Sequence, residues 1–371
     1  MSDPIAWDVA ERLASRVANR KPPPPSYELR ALEADFAELT ELAEELVAAE
    51  TGLRSLAGPA RARVTDRAGW VGANVASFRR LIGPVAEKLL ASAMEHPNKL
   101  GPISLTLPQG ISRQITGTQV GLLLGWMSTR VLGQYDQLLT EDDHPEDQDL
   151  VYYVGPNIVA LEQRFGFPPR EFRLWIALHE VTHRAQFTGV PWMREHFLSL
   201  VTSTLGSIDP GPKRLLEALR RSAGQIRAGR NPLDDGGLLA LLATPAQFEA
   251  IQEIGGLMSL LEGHGDVTMD RAGADRIPNA SRFSGALRER RRQHGVAKVV
   301  SSLVGMDAKM RQYEQGEQFI ASVEGAGGPD LLARVWQGPE WLPTWPEIRD
   351  PQRWIARAGS GPPPDLAVLS S

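Results

Sequence analysis

Five consecutive residues, His179-Glu180-Val181-Thr182-His183, place two imidazoles and a carboxylate at a spacing that could do chemistry. In a helix, residues four apart lie on the same face, so both imidazoles can reach one metal ion. Glu180 lies beside them but off their axis, where it can take a proton from a metal-held water rather than bind the metal. The spacing therefore predicts a zinc site with its own base.

The flanking residues predict the helix that this geometry requires. Pro168 and Pro169 suit a first helical turn, because the amide proton that proline lacks has no helical partner there, and Gly189 followed by Pro191 indicates a stop. Apolar residues recur between them at intervals of three and four, so the histidines share the buried face of an amphipathic helix. The alternative is a pair of core histidines satisfied by hydrogen bonds, which would need a buried partner for each ring.

A second predicted helix offers the third protein ligand that such a zinc ion needs. It begins after Thr244-Pro245 and carries an apolar stripe at helical spacing, followed by Glu262, His264 and Asp266. Glu262 could meet the metal while Asp266, one turn further on, accepts the outer ring proton of a ligand histidine and so fixes its orientation. The alternative for this cluster is a solvated helix end.

Together the two motifs resemble the gluzincin pattern, a His-Glu-x-x-His helix with a downstream Glu-x-x-x-Asp helix. Over about residues 30–355 the chain is similar to an actinobacterial group of zincin-like hydrolases, also described as deazaflavin-coenzyme biosynthesis-associated proteins. The similar stretches are RVLGQYD (130–136), YYVGPNI (152–158), HEVTHRAQFTGVPWMREH (179–196), LLEGHGDVTMD (260–270) and MDAKMRQYEQGEQFI (306–320). The resemblance implies a zincin-like metallopeptidase with Zn²⁺ held by His179, His183 and Glu262, and Glu180 as general base. Because the gap between the two motifs is longer than in compact gluzincins, His264 competes with Glu262 for the third position.

The expected reaction is hydrolysis of a peptide or amide bond. Zinc polarises the substrate carbonyl, and Glu180 carries a proton from water to the leaving amine. In zincins the group that stabilises the oxyanion is often a His or Tyr outside the metal helix, which makes Tyr313, Tyr135 and His264 candidates. Each tyrosine could equally be a buried side chain anchored by one hydrogen bond.

Two stretches predict strands. The β-branched and aromatic run 150–154, closed by Gly155-Pro156, predicts a short strand directly before the metal helix. Zincins use an edge strand to bind the substrate backbone, and this run could be that strand or a plain buried hairpin strand. A second strand pair is predicted over 103–119, around Pro108-Gln109-Gly110.

The rest of the chain shows helical periodicity. Helices are predicted at 4–19, 28–54, 74–95, 118–139, 192–205, 212–228, 246–262, 282–294, 296–305 and 307–323. The predicted fold class is mainly α with a small β component, which the resemblance makes a zincin-like helical core plus a short β-sheet. We expect an N-terminal helix and Pro-rich spacer at 1–27, a single hydrolase domain at 28–355 and a disordered tail at 356–371. Four tryptophans are expected to serve packing: Trp336, Trp341, Trp345 and Trp354.

Composition narrows the class and the partners. With 371 residues, 42% hydrophobic and 23% charged, the chain is an ordinary globular protein, and zero cysteines exclude thiolate zinc ligands. A net charge of -5 predicts no nucleic-acid or membrane partner, and the basic run 288–292 is expected to be a solvated helix face. No signal peptide or apolar span is evident, so we expect a cytoplasmic location. The oligomeric state is not predicted.

Three classes of function remain at this point. The first is an active zinc-dependent peptidase or amidohydrolase. The second is a zincin-fold protein that binds a metal or a partner without turnover, and the third is a helical interaction protein with structural histidines. The presence of Glu180 favours the first, because a protein without turnover does not need a general base.

Overall fold

The computed structural model describes residues 3, 5–20, 25–95, 109–135, 149–205, 245–292 and 306–360. Their helices are α1 (Trp7–Ala18), α2 (Ser26–Thr51), α3 (Arg67–Glu95), α4 (Gln109–Ser128), α5 (Gly155–Phe165), α6 (Pro169–Thr188), α7 (Met193–Leu205), α8 (Pro245–Ala272), α9 (Ala280–Arg292), α10 (Met306–Leu332), α11 (Trp345–Arg349) and α12 (Pro351–Gly359). Their strands are β1 (Arg61–Thr65), β2 (Gly133–Tyr135) and β3 (Leu150–Val154). Short 3-10 helices lie at Ala333–Trp336 and Pro339–Trp341. The predicted class, mainly α with a small β component, is confirmed.

The chain divides into two compact units. The first contains the described residues up to Gly189 together with 268–292, and the second contains the described parts of 190–267 together with 306–360. The single hydrolase domain expected over 28–355 stays a prediction. No described helix combines the length and the apolar character that crossing a bilayer would require.

The sheet belongs to the first unit and has the order β1-β3-β2. The predicted strand at 150–154 is confirmed as β3, which pairs in parallel with β1 and antiparallel with β2. Its interpretation as an edge strand for the substrate is wrong. Because both of its edges pair with strands in the described part of the sheet, β3 is a central strand and not an edge strand.

The strand pair predicted at 103–119 is also wrong for the described part, where α4 begins at Gln109. Gly117, Gly121 and Gly125 recur every four residues on the α4 face that packs on α1, and a Cβ on Gly121 would lie 2.6 Å from the Ala10 carbonyl oxygen. In a helix, residues four apart lie on one face, so the three glycines open a single surface to α1. The close contact of two helix backbones therefore overrides the β-branched residues of this stretch. Residues 103–108 lie outside the described residues.

Other helix predictions met mixed outcomes. The helices expected at 4–19, 28–54, 74–95 and 192–205 are confirmed as α1, α2, α3 and α7. The helix expected at 118–139 ends at Ser128, after which the chain enters β2. The predicted ligand helix is longer than expected, since α8 continues to Ala272, so Glu262 lies within it rather than at its end. The helices predicted at 212–228 and 296–305 lie outside the described residues, as do the side chains of the basic run 288–292. Of the disordered tail expected at 356–371, residues 356–359 belong to α12, and 361–371 lie outside the described residues.

Tryptophans organise the second unit, as predicted. Trp354 is fully buried, stacks edge-on against Phe319 and donates its indole N–H to the Trp341 carbonyl at 2.7 Å. Arg357 binds the carboxylate of Glu347 at 2.8 Å, which ties α12 to α11. The segment that follows α10 is therefore held by buried aromatic contacts and a half-buried ion pair.

We predict opposite effects for two glycine-to-alanine substitutions. Gly121→Ala should lower the free energy of unfolding by about 1–3 kcal/mol, because its Cβ would meet the α1 backbone. Gly72→Ala, in α3, should raise it by about 0.5–1 kcal/mol, because no atom lies within 4 Å of the added Cβ and alanine favours the helix. Urea unfolding measures both. Equal shifts of the same sign would contradict the close α1–α4 contact.

Candidate metal centre

Helix α6 carries the His-Glu-x-x-His run and is buried on nearly every side. Pro168 is extended and Pro169 opens the helix, as predicted, and the chain leaves it at Gly189. Near its start, Phe172 packs edge-on against Phe283 of α9 with ring centroids 5.2 Å apart. This aromatic contact anchors the start of the metal helix within the first unit.

The two histidines present their ring nitrogens to each other. Nε2 of His179 and Nε2 of His183 are 3.3 Å apart, and the two ring planes meet at 87°. Two nitrogens that each lie about 2.0–2.1 Å from one tetrahedral zinc ion are separated by about 3.3–3.4 Å. The spacing of the two nitrogens therefore fits a shared zinc ion.

Glu262 completes a group of three possible ligands. One ligand atom from each of His179, His183 and Glu262 lies within 4.8 Å of the others. Glu262 is buried, and His264, its competitor for the third position, is not a member of this group. The ring of His264 instead packs edge-on against Trp336, with centroids 5.0 Å apart. Two imidazoles and one carboxylate are a donor set used by catalytic zinc sites, so the residues present fit zinc.

Glu180 is held by strand β2. Its Oε2 accepts the backbone N–H of Tyr135 at 3.0 Å, within the protein interior. Gly133 leaves room for the same carboxylate, because a Cβ at that position would lie 2.7 Å from Oε1 of Glu180. The carboxylate thus has a defined orientation that comes from a strand rather than from its own helix.

Strand β2 is itself anchored by buried side chains of the first unit. Asn157 donates to the carbonyls of Ser128 and Val131 at 2.8 and 2.7 Å, and accepts from Nε of Arg67 at 2.7 Å. Gln134, within the strand, accepts the indole N–H of Trp70 at 2.7 Å. These bonds set the position of the strand that orients Glu180.

Arg184 ties the metal helix to two distant segments. It follows His183 directly and is 1% exposed. Its guanidinium binds Glu44 of α2 at 2.6 Å, Asp149 at 3.1 Å and the Gly58 carbonyl at 2.7 Å. Asp149 immediately precedes β3, so this ion-pair network connects α6, α2 and the start of the central strand.

Sequence reasoning missed several of these contacts. It gave no role to Asp149 or Arg184, and nothing local in the sequence pairs residues 35 positions apart. It also missed Gln186, whose Oε1 lies 2.9 Å from Nδ1 of His183. That residue could have been found, because positions three apart on a helix are neighbours.

Tyr135 and Tyr313, the candidate oxyanion donors, and Tyr153 of β3 differ in their surroundings. Tyr135 meets Glu180 through its backbone N–H, and its ring lies against Phe187 with centroids 6.5 Å apart. Tyr153 is fully buried with its hydroxyl 2.7 Å from that of Thr40, and burial raises the pKa of Tyr153 well above its ordinary value. It is a packing residue. Tyr313 lies on α10, but its side chain is outside the described residues.

The chain matches the family of zincin-like metallopeptidases over residues 5–355 and therefore belongs to it. It is also similar to a crystal structure from Chloroflexus aurantiacus described as a "putative hydrolase with a novel fold". That protein is 30% identical, with a TM-score of 0.69, and the match covers 96% of this chain and 99% of the other. Comparison with curated proteins finds no match. Family and neighbour together support a hydrolase that uses zinc.

We predict that the Arg184 network stabilises the fold. Arg184→Met should lower the free energy of unfolding by about 3 kcal/mol, because it leaves the carboxylates of Asp149 and Glu44 without their buried cation. Arg12→Met is the matched control, since Arg12 forms an exposed pair with Asp8 and such pairs contribute little. Urea unfolding should separate the two variants clearly. If both unfold like the wild type, the network does not hold the metal helix.

Proposed function

We propose that this protein is a zinc-dependent hydrolase that cleaves a peptide or amide bond with water. His179, His183 and Glu262 would hold the ion, and Glu180 would act as general base. The observation that carries the proposal is the convergence of the three ligand atoms within 4.8 Å, on a chain of the zincin-like metallopeptidase family. The narrower resemblance to the deazaflavin-coenzyme-associated group and the cytoplasmic location stay predictions.

When bound, a zinc ion supplies a Lewis acid that polarises a carbonyl and lowers the pKa of a water at the position that three protein ligands leave open. Glu180 would take a proton from the attacking water and pass it to the leaving nitrogen. The Tyr135 N–H, which binds Oε2 at 3.0 Å, would keep this carboxylate in one orientation during the transfer.

Three residues have supporting roles in this proposal. Asp266, half-buried, would accept the outer ring proton of a ligand histidine. That role belongs to His179, because Gln186 already binds the outer nitrogen of His183. Tyr313 and His264 are the proposed donors to the oxyanion that forms on the substrate carbonyl.

The ligand set predicts how metal content depends on each residue. Purified wild type should carry about one zinc per chain, and His183→Ala should lose it, because two remaining ligands hold zinc weakly. Glu262→Ala should lower zinc affinity by more than about 100-fold, while His264→Ala should leave it unchanged. Elemental analysis and competition with a chelator measure these values. Loss of zinc in His264→Ala with retention in Glu262→Ala would reverse the assignment of the third ligand.

The proposed base predicts a separation between binding and turnover. Glu180→Gln should keep its zinc but lower the rate of hydrolysis by about 10²–10⁴-fold, because an amide cannot take the proton from water. A library of peptides and small amides, screened with wild type and variant in parallel, provides the measurement. Equal cleavage by both would exclude Glu180 as base. Zinc binding without any cleavage by the wild type would favour a metal- or partner-binding protein instead.

A further inference from the structure

Gln186 lies one helical turn after His183, on the same face of α6. Its side chain is completely buried, and its amide oxygen is 2.9 Å from Nδ1 of His183. Glutamine is rarely buried to this extent. An apolar side chain of similar size would fit the same interior position without the cost of burying a polar amide. The hydrogen bond that Gln186 makes there therefore requires an explanation.

The hydrogen bond determines which nitrogen of His183 can bind a metal. A neutral imidazole carries one N–H, and the amide oxygen of Gln186 can only accept. The proton therefore sits on Nδ1, which leaves the lone pair on Nε2. That nitrogen is the one that lies 3.3 Å from Nε2 of His179, at the separation that zinc requires.

We propose that Gln186 is a positioning residue of the zinc site, a proposal that rests on the function proposed above. It acts through His183 in two ways. It holds the tautomer in which Nε2 is available to the metal, and it fixes the rotation of the ring so that this nitrogen faces His179.

The amide also has a consequence for charge. Two neutral imidazoles and the carboxylate of Glu262 leave a bound Zn²⁺ with a net charge of +1 among its ligands. Many metal-binding histidines have a carboxylate as this partner. A carboxylate at position 186 would add a negative charge beside the ligands of the ion. Gln186 orients the ring without that charge, which preserves the ion's ability to polarise a substrate carbonyl.

The test compares four proteins, each stripped of metal and then titrated: wild type, Gln186→Met, Gln186→Glu and Thr182→Val. Zinc affinity is measured by competition with a chelator, and the ligand geometry by the visible spectrum of the Co²⁺ form. Gln186→Met keeps the size but removes the acceptor, so affinity should fall about 10–100-fold and the Co²⁺ spectrum should change. Gln186→Glu restores an acceptor and should return the affinity to within about 3-fold of wild type.

Thr182→Val is the matched control, because Thr182 is equally buried in α6 and its hydroxyl donates to the Leu178 carbonyl at 2.7 Å. It should bind zinc as wild type does. A merely structural role for Gln186 would lower the melting temperature and leave both metal readouts unchanged in the folded protein. Wild-type affinity and spectrum in Gln186→Met, or an equal loss in Thr182→Val, would overturn the proposal while the zinc site stands. A wild type without zinc affinity would instead remove the proposed function itself.

A second measurement needs no variant and covers the case in which Gln186→Met does not fold. In zinc-loaded wild type labelled with ¹⁵N at histidine, Nδ1 of His183 should be protonated and Nε2 should show the shift of a metal-bound nitrogen. Coordination through Nδ1, or a proton on Nε2, would overturn the role of Gln186.

Discussion

The first unit depends on the need to satisfy the buried polar groups of one helix. Between Phe172 and Phe187, α6 is buried almost without interruption, and yet it carries His183, Arg184 and Gln186 in the interior. An unsatisfied polar group in such a place costs about 1–3 kcal/mol, and an unpaired charge costs more. Each of these side chains therefore requires a partner at a defined place, and supplying those partners constrains much of what packs around the helix.

The partners come from segments that are far away in the chain. Arg184 requires carboxylates on α2 and before β3, while Glu180 requires a backbone N–H on β2 and a neighbour without a side chain, Gly133. Asn157 and Gln134 then fix β2 in turn. The small sheet is thus more than a covering layer, because its shortest strand orients the carboxylate that stands beside the two histidines.

In the second unit, the packing around Glu262 depends on the close approach of backbones, whereas the first unit depends on buried polar groups. Gly263 is the next residue, and a Cβ there would lie 2.4 Å from the carbonyl carbon of Gly316 on α10. Gly256, two turns earlier, meets the Pro343 carbonyl in the same way. Because side chains are absent at these positions, α8 lies directly against its neighbours in the second unit, and Glu262 stands next to one of these backbone contacts.

The sequence by itself determined what local spacing can encode. The metal helix with its proline start, the face shared by His179 and His183, the candidate Glu262 and strand β3 all follow from periodicity and from end signals within about twenty residues. Tertiary structure alone decided that β3 is central, that 109–119 is helical, and that Arg184 and Glu180 have partners on α2, β2 and the start of β3. The physical reason is that hydrogen bonds, ion pairs and close glycine contacts join residues far apart in the chain, where no periodicity records which residue meets which.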